Sequence, residues 1–299
     1  MRVMIVFSPR YYWPFVSEGD NYLIPQALVY LGAACRAAGH EVVIYDCMPL
    51  KMGWRSLENA MREQNPDILC IGENHALYAH EAMRVVEMCK DVIPRAKTIV
   101  GGAHFTNLYD KYMGEHPIDF VVRAEGEATL VSLLEEIGKA NPDYSTVPGI
   151  VYRETDSLDS PLLKTSPRHL IEDLDSLAMP AYDLIPMHLY GTSKYSFSPG
   201  GATIHHSRGC VSSCSFCAWW TVMADRKYDK DGNVQLSPRW RSKSVDRVMS
   251  EIEELYYRYG KRSYVWVDES WNIDPRFNDE FAGRMLKSGM TTQWFAFMR

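Results

Sequence analysis

Three cysteines within eight positions carry the sharpest chemical signal of the 299-residue chain. The segment Arg208-Gly209-Cys210-Val211-Ser212-Ser213-Cys214-Ser215-Phe216-Cys217 has the spacing C-x3-C-x2-C and follows Thr203 to His206, which reads as a strand. Three thiolates on one short loop can hold three corners of an iron–sulfur cubane and leave the fourth iron open. Gly209 and the serines let the backbone wrap closely round an inorganic core and point N–H groups at its sulfides. The competing reading is zinc on the same thiols, completed by His205 or His206. Structural zinc sites usually draw their ligands from two separated knuckles, and no second C-x2-C follows here. Close thiolates without a metal would repel one another.

The other cysteines, Cys35, Cys47, Cys70 and Cys89, are scattered among apolar residues, which fits a reducing compartment better than a disulfide framework. With 46% hydrophobic and 23% charged residues the chain is expected to be globular, and its length fits two domains. Lys+Arg 32 against Asp+Glu 38 gives a formal charge of −6 and no basic block, so a nucleic-acid partner is not expected. No apolar run approaches the ~20 residues of a membrane span. The start, Met1 to Phe7, is too short for a secretory signal, so the expected location is cytoplasmic.

The first ~140 residues alternate apolar runs with helical periodicity, the signature of a doubly wound, Rossmann-like parallel sheet. Strands are expected at Val3–Phe7, Glu41–Tyr45, Asp67–Ile71, Thr98–Val100 and Phe120–Val122, and helices at Pro25–Ala38, Trp54–Gln64, Tyr78–Cys89 and Glu127–Ile137. Residues 141–195 read as a connector with a small hairpin at Gly149–Arg153 and Pro161–Lys164. From 196 the α/β pattern restarts, with strands at Thr203–His206, Tyr264–Val267 and Gln293–Met298, and helices at Val245–Tyr259 and Pro275–Ser288. A doubly wound sheet binds its ligand at the carboxyl ends of its strands. Those ends carry Ser8-Pro9, Gly72-Glu73-Asn74-His75, Gly101-Gly102-Ala103-His104 and Arg123-Ala124-Glu125-Gly126-Glu127. No G-x-G-x-x-G follows the first strand and no G-x-x-x-x-G-K-[ST] occurs, which sets dinucleotide and P-loop readings aside.

RGCVSSCSFC resembles the radical S-adenosylmethionine (SAM) motif, with Phe216 at its aromatic position. The resemblance implies a [4Fe-4S] cluster on Cys210, Cys214 and Cys217, SAM on the open iron, and Phe216 near the adenine. YLGAACRAAGHEVVIYD, NPDILCIG, IVGGAHFTNL and DFVVRAEGE, in that order, resemble the cobalamin (B12)-binding domain that precedes many radical SAM cores. This second likeness spans most of residues 1–140 and implies that the corrin sits over the strand ends. Gly72, Glu73, Asn74, His75, Gly101, Gly102, Glu125 and Gly126 are the cofactor-proximal candidates by position. D-x-H-x-x-G, whose His ligates cobalt in other cobalamin domains, is missing here. The first histidine is His40, so a lower cobalt ligand from that loop is not expected, and His75 and His104 remain as loop histidines within possible reach.

The implied core is the first half of a partial (β/α)6 barrel over 196–299, after a cobalamin-binding domain over 1–140 and the connector. Its second strand runs into Asp268-Glu269, where the family places a group for the SAM ammonium. The alternative is a cap on the following turn. This chain has VDES where many members have a GGE-like run. Trp219 and Trp220 either shield the cluster or pack a helix, Trp266, Trp271 and Trp294 read as core, and no catalytic residue is singled out. Gln293–Met298 reads as the third barrel strand, so a longer chain or a second polypeptide is expected to complete the barrel. The implied function is that of a cobalamin-dependent radical SAM enzyme acting on a small-molecule substrate, reduced by a donor such as flavodoxin or ferredoxin. The first expectation is a methyltransferase that works on an unactivated centre through a 5′-deoxyadenosyl radical and methylcobalamin. The rivals are a non-methylating oxidative cyclase or ring-rearranging enzyme and a non-catalytic cobalamin or iron–sulfur binding module.

Overall fold

Strand 1 shows why the N-terminal part folds as it does: Val3, Met4, Ile5 and Val6 are all fully buried, as a strand covered by helices on both faces requires. The computed structural model describes residues 1–10, 23–73, 76–191, 200–228 and 234–299. The described residues form two compact units. One is built from 1–10, 27–170 and 181–185, the other from 23–26, 171–180 and the residues from 186 onward.

In the first unit, β1 (Arg2–Phe7), β2 (Glu41–Asp46), β3 (Ile68–Gly72), β4 (Lys97–Gly101) and β5 (Phe120–Val122) pair in parallel. They alternate with α1 (Gln26–Ala37), α2 (Trp54–Gln64), α3 (Ala79–Val92), α4 (Ala103–Glu115) and α5 (Glu127–Ile137). The strand order is β2-β1-β3-β4-β5, so the winding reverses between β1 and β3. Ligands of such sheets bind beyond the carboxyl ends of the strands at that reversal. The expected hairpin forms as β6 (Ile150–Arg153) and β7 (Leu162–Lys164) and extends the expected five strands to seven, both added antiparallel. The physical reason is the short outer strand β5, whose bare edge needs a partner. Ile150 and Val151 become fully buried in supplying it.

In the second unit, β8 (Gly201–Ile204) leads into a short β9 (Ser207–Gly209), and α6 (Trp219–Val222) follows the cysteines. A hairpin of β10 (Asp225–Tyr228) and β11 (Val234–Ser237) precedes β12 (Trp240–Ser242), which folds back antiparallel on β9. The largely polar sequences of these elements gave no alternation to read. After them come α7 (Val245–Glu253), β13 (Ser263–Trp266), α8 (Pro275–Ser288) and β14 (Gln293–Ala296). β8, β13 and β14 pair in parallel with β13 in the middle, the start of a β/α winding. Local signals fix the helix ends. Ser244 caps α7 by accepting from Arg247 N at 3.1 Å, and Asp274 caps α8 by accepting from Arg276 N at 3.0 Å. Pro275 opens α8 and Gly289, at φ +70°, closes it. The helix expected over Val245–Tyr259 is α-helical only to Glu253 and widens to a π-helical turn over Glu254–Arg258.

Candidate functional site

The cysteine loop leaves β9 through Gly209, whose φ is +83°. A Cβ there would lie 1.9 Å from the Arg239 carbonyl oxygen, so only glycine fits. The Cys210 N–H donates to that same carbonyl at 3.1 Å. Beyond this root all three cysteines are free thiols. Cys210 and Cys217 are half-buried and Cys214 is exposed. The Ser212 N–H donates to Cys210 Sγ at 3.4 Å, the kind of bond that supports a bound thiolate. Cys217 N–H donates to the Cys214 carbonyl at 3.1 Å, and the Trp220 indole to the same oxygen at 3.0 Å. Phe216 is 90% exposed. Among the described residues no three His, Cys, Asp or Glu side chains are already gathered closely enough to hold one ion. The donor set nevertheless suits an iron–sulfur cluster: soft, unpaired thiols on one loop, with a backbone N–H already on one sulfur. The zinc alternative loses a ligand, because the His206 ring is fully buried, stacked on Phe277 with centroids 4.4 Å apart.

Asp268 stands just past the end of β13 and is 1% exposed. Its carboxylate accepts from the backbone N–H groups of His206 at 3.1 Å and Ser207 at 2.6 Å, and from the Ser207 hydroxyl. His206 Nδ1 lies 2.8 Å from the same oxygen. The side chain grips the chain that leads to the cysteines. Glu269 accepts from the Trp219 indole. Burial, aided by the neighbouring Asp268 charge, raises its carboxyl to about 7. Trp219 and Trp220 thus each tie the cluster region by a hydrogen bond. Trp266, Trp271 and Trp294 pack with Phe281, as read.

Along the carboxyl ends of the first unit, Gly72 pairs with Gly101, and the Glu73 N–H donates to the Gly101 carbonyl at 3.0 Å. Asn74 and His75 lie outside the described residues. Glu73 is buried and forms an ion pair with Arg10, which follows β1. The Arg10 guanidinium lies over the Phe7 ring at 3.8 Å and the Tyr78 ring at 3.7 Å. This pair spans the winding reversal. Arg10 was not among the residues singled out from sequence; its one available signal was a cation just past the first strand. Gly102 starts α4 at φ +100°. A Cβ at Gly126 would come within 2.9 Å of Leu31 Cδ2, so its smallness serves helix packing. Glu125 is buried beside it. His104 Nε2 is 2.9 Å from the Tyr112 hydroxyl, which holds the ring along α4. Burial lowers its pKa, and the Glu73 charge opposes that. Cys47 and Cys70 are buried core residues whose thiols are pushed up by burial.

Residues 12–134 match the B12 binding domain family. Together with the cysteine loop, that match decides the assignment. Over those residues the chain carries a B12-binding domain, and over most of its length it is similar to cobalamin-dependent radical SAM methyltransferases and cyclases. It is 28% identical over 277 residues to the uncharacterized methyltransferase PH0819 of Pyrococcus horikoshii, covering 92% of this chain and 55% of that protein. It is 26% identical over 302 residues to the anaerobic magnesium-protoporphyrin IX monomethyl ester cyclase of Rubrivivax gelatinosus, covering 98% of this chain and 50% of the cyclase. The chain thus spans about half the length of these curated relatives. Its fold resembles that of the radical SAM methyltransferase TsrM from Kitasatospora setae, solved with cobalamin and a [4Fe-4S] cluster bound. The TM-score is 0.66 at 16% identity, covering 96% of this chain and 51% of that one. Among the described residues no helix is long and apolar enough to cross a membrane.

Proposed function

We propose that the chain is the cofactor-binding part of a cobalamin-dependent radical SAM methyltransferase acting on a small molecule. The observation that carries this reading is the loop of three free thiols that follows β9, in a chain whose other unit carries a B12-binding domain. Cys210, Cys214 and Cys217 hold the cluster and leave one iron for SAM, with Phe216 exposed beside them for the adenine. Glu269, neutral or charged near pH 7, is the acidic group we assign to SAM, since the Asp268 carboxylate is taken. In the first unit Gly72, Glu73, Gly101, Gly102 and Glu125 line the corrin side of the strand ends, and Arg10 joins them by its pair with Glu73. When bound, the cluster supplies the electron that cleaves SAM and the corrinoid serves as methyl carrier; the chain's part is binding, orientation and exclusion of water. An external donor of the flavodoxin or ferredoxin type delivers the electron.

The similarity to the cyclase over nearly the whole chain favours a second reading, a non-methylating oxidative cyclisation. The test is anaerobic reconstitution with iron, sulfide and hydroxocobalamin. The expected result is an iron–sulfur absorbance and electron paramagnetic resonance signal together with bound corrinoid. Incubation of the reconstituted protein with SAM and a reductant is then expected to release 5′-deoxyadenosine. Iron without corrinoid, or corrinoid without iron, would sink the assignment. Product mass separates the two chemistries, since methylation adds one CH2.

A further inference from the structure

Two buried side chains of opposite charge, Lys243 and Asp268, grip the same short stretch of backbone. Lys243 is 1% exposed and donates through Nζ to the His205 carbonyl at 2.7 Å, and its own N–H donates to the His206 carbonyl at 2.7 Å. Asp268 takes the N–H groups of His206 and Ser207 and the Ser207 hydroxyl. Three residues later the Cys210 N–H is fixed on Arg239, at the glycine that admits no other residue. The peptide groups between the first barrel strand and the first cysteine are therefore bound at nearly every step. A carboxylate receiving two N–H groups and a hydroxyl forms charge-assisted bonds, about twice as strong as neutral ones. Removing it would leave buried N–H groups without acceptors. Lys243 is itself held by Glu251, at 2.8 Å and 3.0 Å, and Arg247 braces that carboxylate at 2.8 Å.

We propose that Asp268 and Lys243 are positioning residues for the cysteine loop, fixing the backbone from which Cys210 enters the cluster, and that Asp268 does not contact SAM. The proposal rests on the iron–sulfur reading of the loop for its effect on the cluster, but the latch itself exists without metal. A cluster thiolate displaced by a fraction of an ångström alters both retention and electronic structure of the iron, so a loosened root is read at the cluster although neither residue touches it.

The experiment is amide hydrogen exchange on the apo chain, followed by iron content and electron paramagnetic resonance of the reconstituted chain. It compares wild type with Asp268→Ala, Asp268→Asn and Ser207→Ala. In Asp268→Ala the amides of 206–210 are expected to exchange at least about tenfold faster while distant strands keep their protection. Bound iron should fall about threefold or more, and the resonance of the remaining cluster should change before SAM is added. Asp268→Asn, which keeps an acceptor oxygen, should restore much of both, and Ser207→Ala should show a smaller change in the same direction. If Asp268→Ala does not fold, these two milder variants decide the matter by the same readings. Wild-type exchange and wild-type iron in Asp268→Asn and Ser207→Ala, with SAM binding weakened at least about tenfold in Asp268→Asn, would overturn the proposal and make Asp268 a direct ligand contact. A wild-type chain that takes up no iron would count against the cluster reading alone, since the exchange arm still judges the latch.

Discussion

Gly209 is the residue on which the loop geometry turns. Its φ of +83° lies in a region that strains any L side chain, and the Cβ position is occupied by a carbonyl that is already bonded to Cys210. Gly209→Ala is expected to cost at least about 2 kcal/mol in urea unfolding and to lower the iron taken up on reconstitution. Ala at Gly260, also at positive φ but with nothing near its Cβ, should cost less and leave iron uptake alone. Glu269 carries a pH signature of known sign. Its folded value of about 7 lies above the ordinary 4.5, so between those values the folded chain binds more protons than the unfolded one. Its contribution therefore makes stability fall as pH rises through that window, and Glu269→Gln is expected to flatten this part of the profile. Urea midpoints measured from pH 5 to 8, for wild type against variant, check it; a steeper fall in the variant would reverse the assignment.

At the scale of elements, α7 does more than cover the second unit's strands. Glu251 on its inner face holds Lys243 in a fully buried pair, and Arg247, one turn earlier, ties α7 to the carbonyls of Leu177 at 2.7 Å and Ala178 at 3.0 Å. Burial lowers the Lys243 pKa while Glu251 opposes that, so the pair stands or falls together. Glu251→Gln removes the opposing charge and is expected to cost about 3–5 kcal/mol, whereas Lys243→Met combined with Glu251→Leu should recover a large part of it. Chemical denaturation of the three proteins measures the difference. The hairpin β6–β7 shows how the element pattern is completed. Its strands were readable from their apolar residues, but their place on the edge beside β5 depends on which edge is bare once the parallel strands have paired.

For the whole molecule, the proposed function assigns the iron–sulfur cluster to the second unit and the corrinoid to the first. Replacing Cys210, Cys214 and Cys217 together by Ser is expected to abolish iron binding and leave corrinoid retention unchanged, as read by absorbance after gel filtration. Conversely, Arg10→Ala is expected to weaken corrinoid binding about tenfold while iron content stays at the wild-type level. It removes the guanidinium stacked between Phe7 and Tyr78 at the winding reversal. Loss of both cofactors in either variant would contradict this division.

The amino-acid sequence by itself determined the alternation of strands and helices, the ends of α8 and the identity of the three thiols. Each of these depends on neighbours a few positions away: apolar period, a proline, a capping aspartate, a cysteine spacing. Tertiary structure alone decided that Asp268 faces the chain 61 and 62 residues earlier, and that Glu73 meets Arg10 across 63 residues. A carboxylate at a strand end looks the same in sequence whether it faces a ligand or a buried backbone N–H. The strand that lies beside it makes the choice, because an ion buried in the fold must settle on the donors that pairing brings within reach.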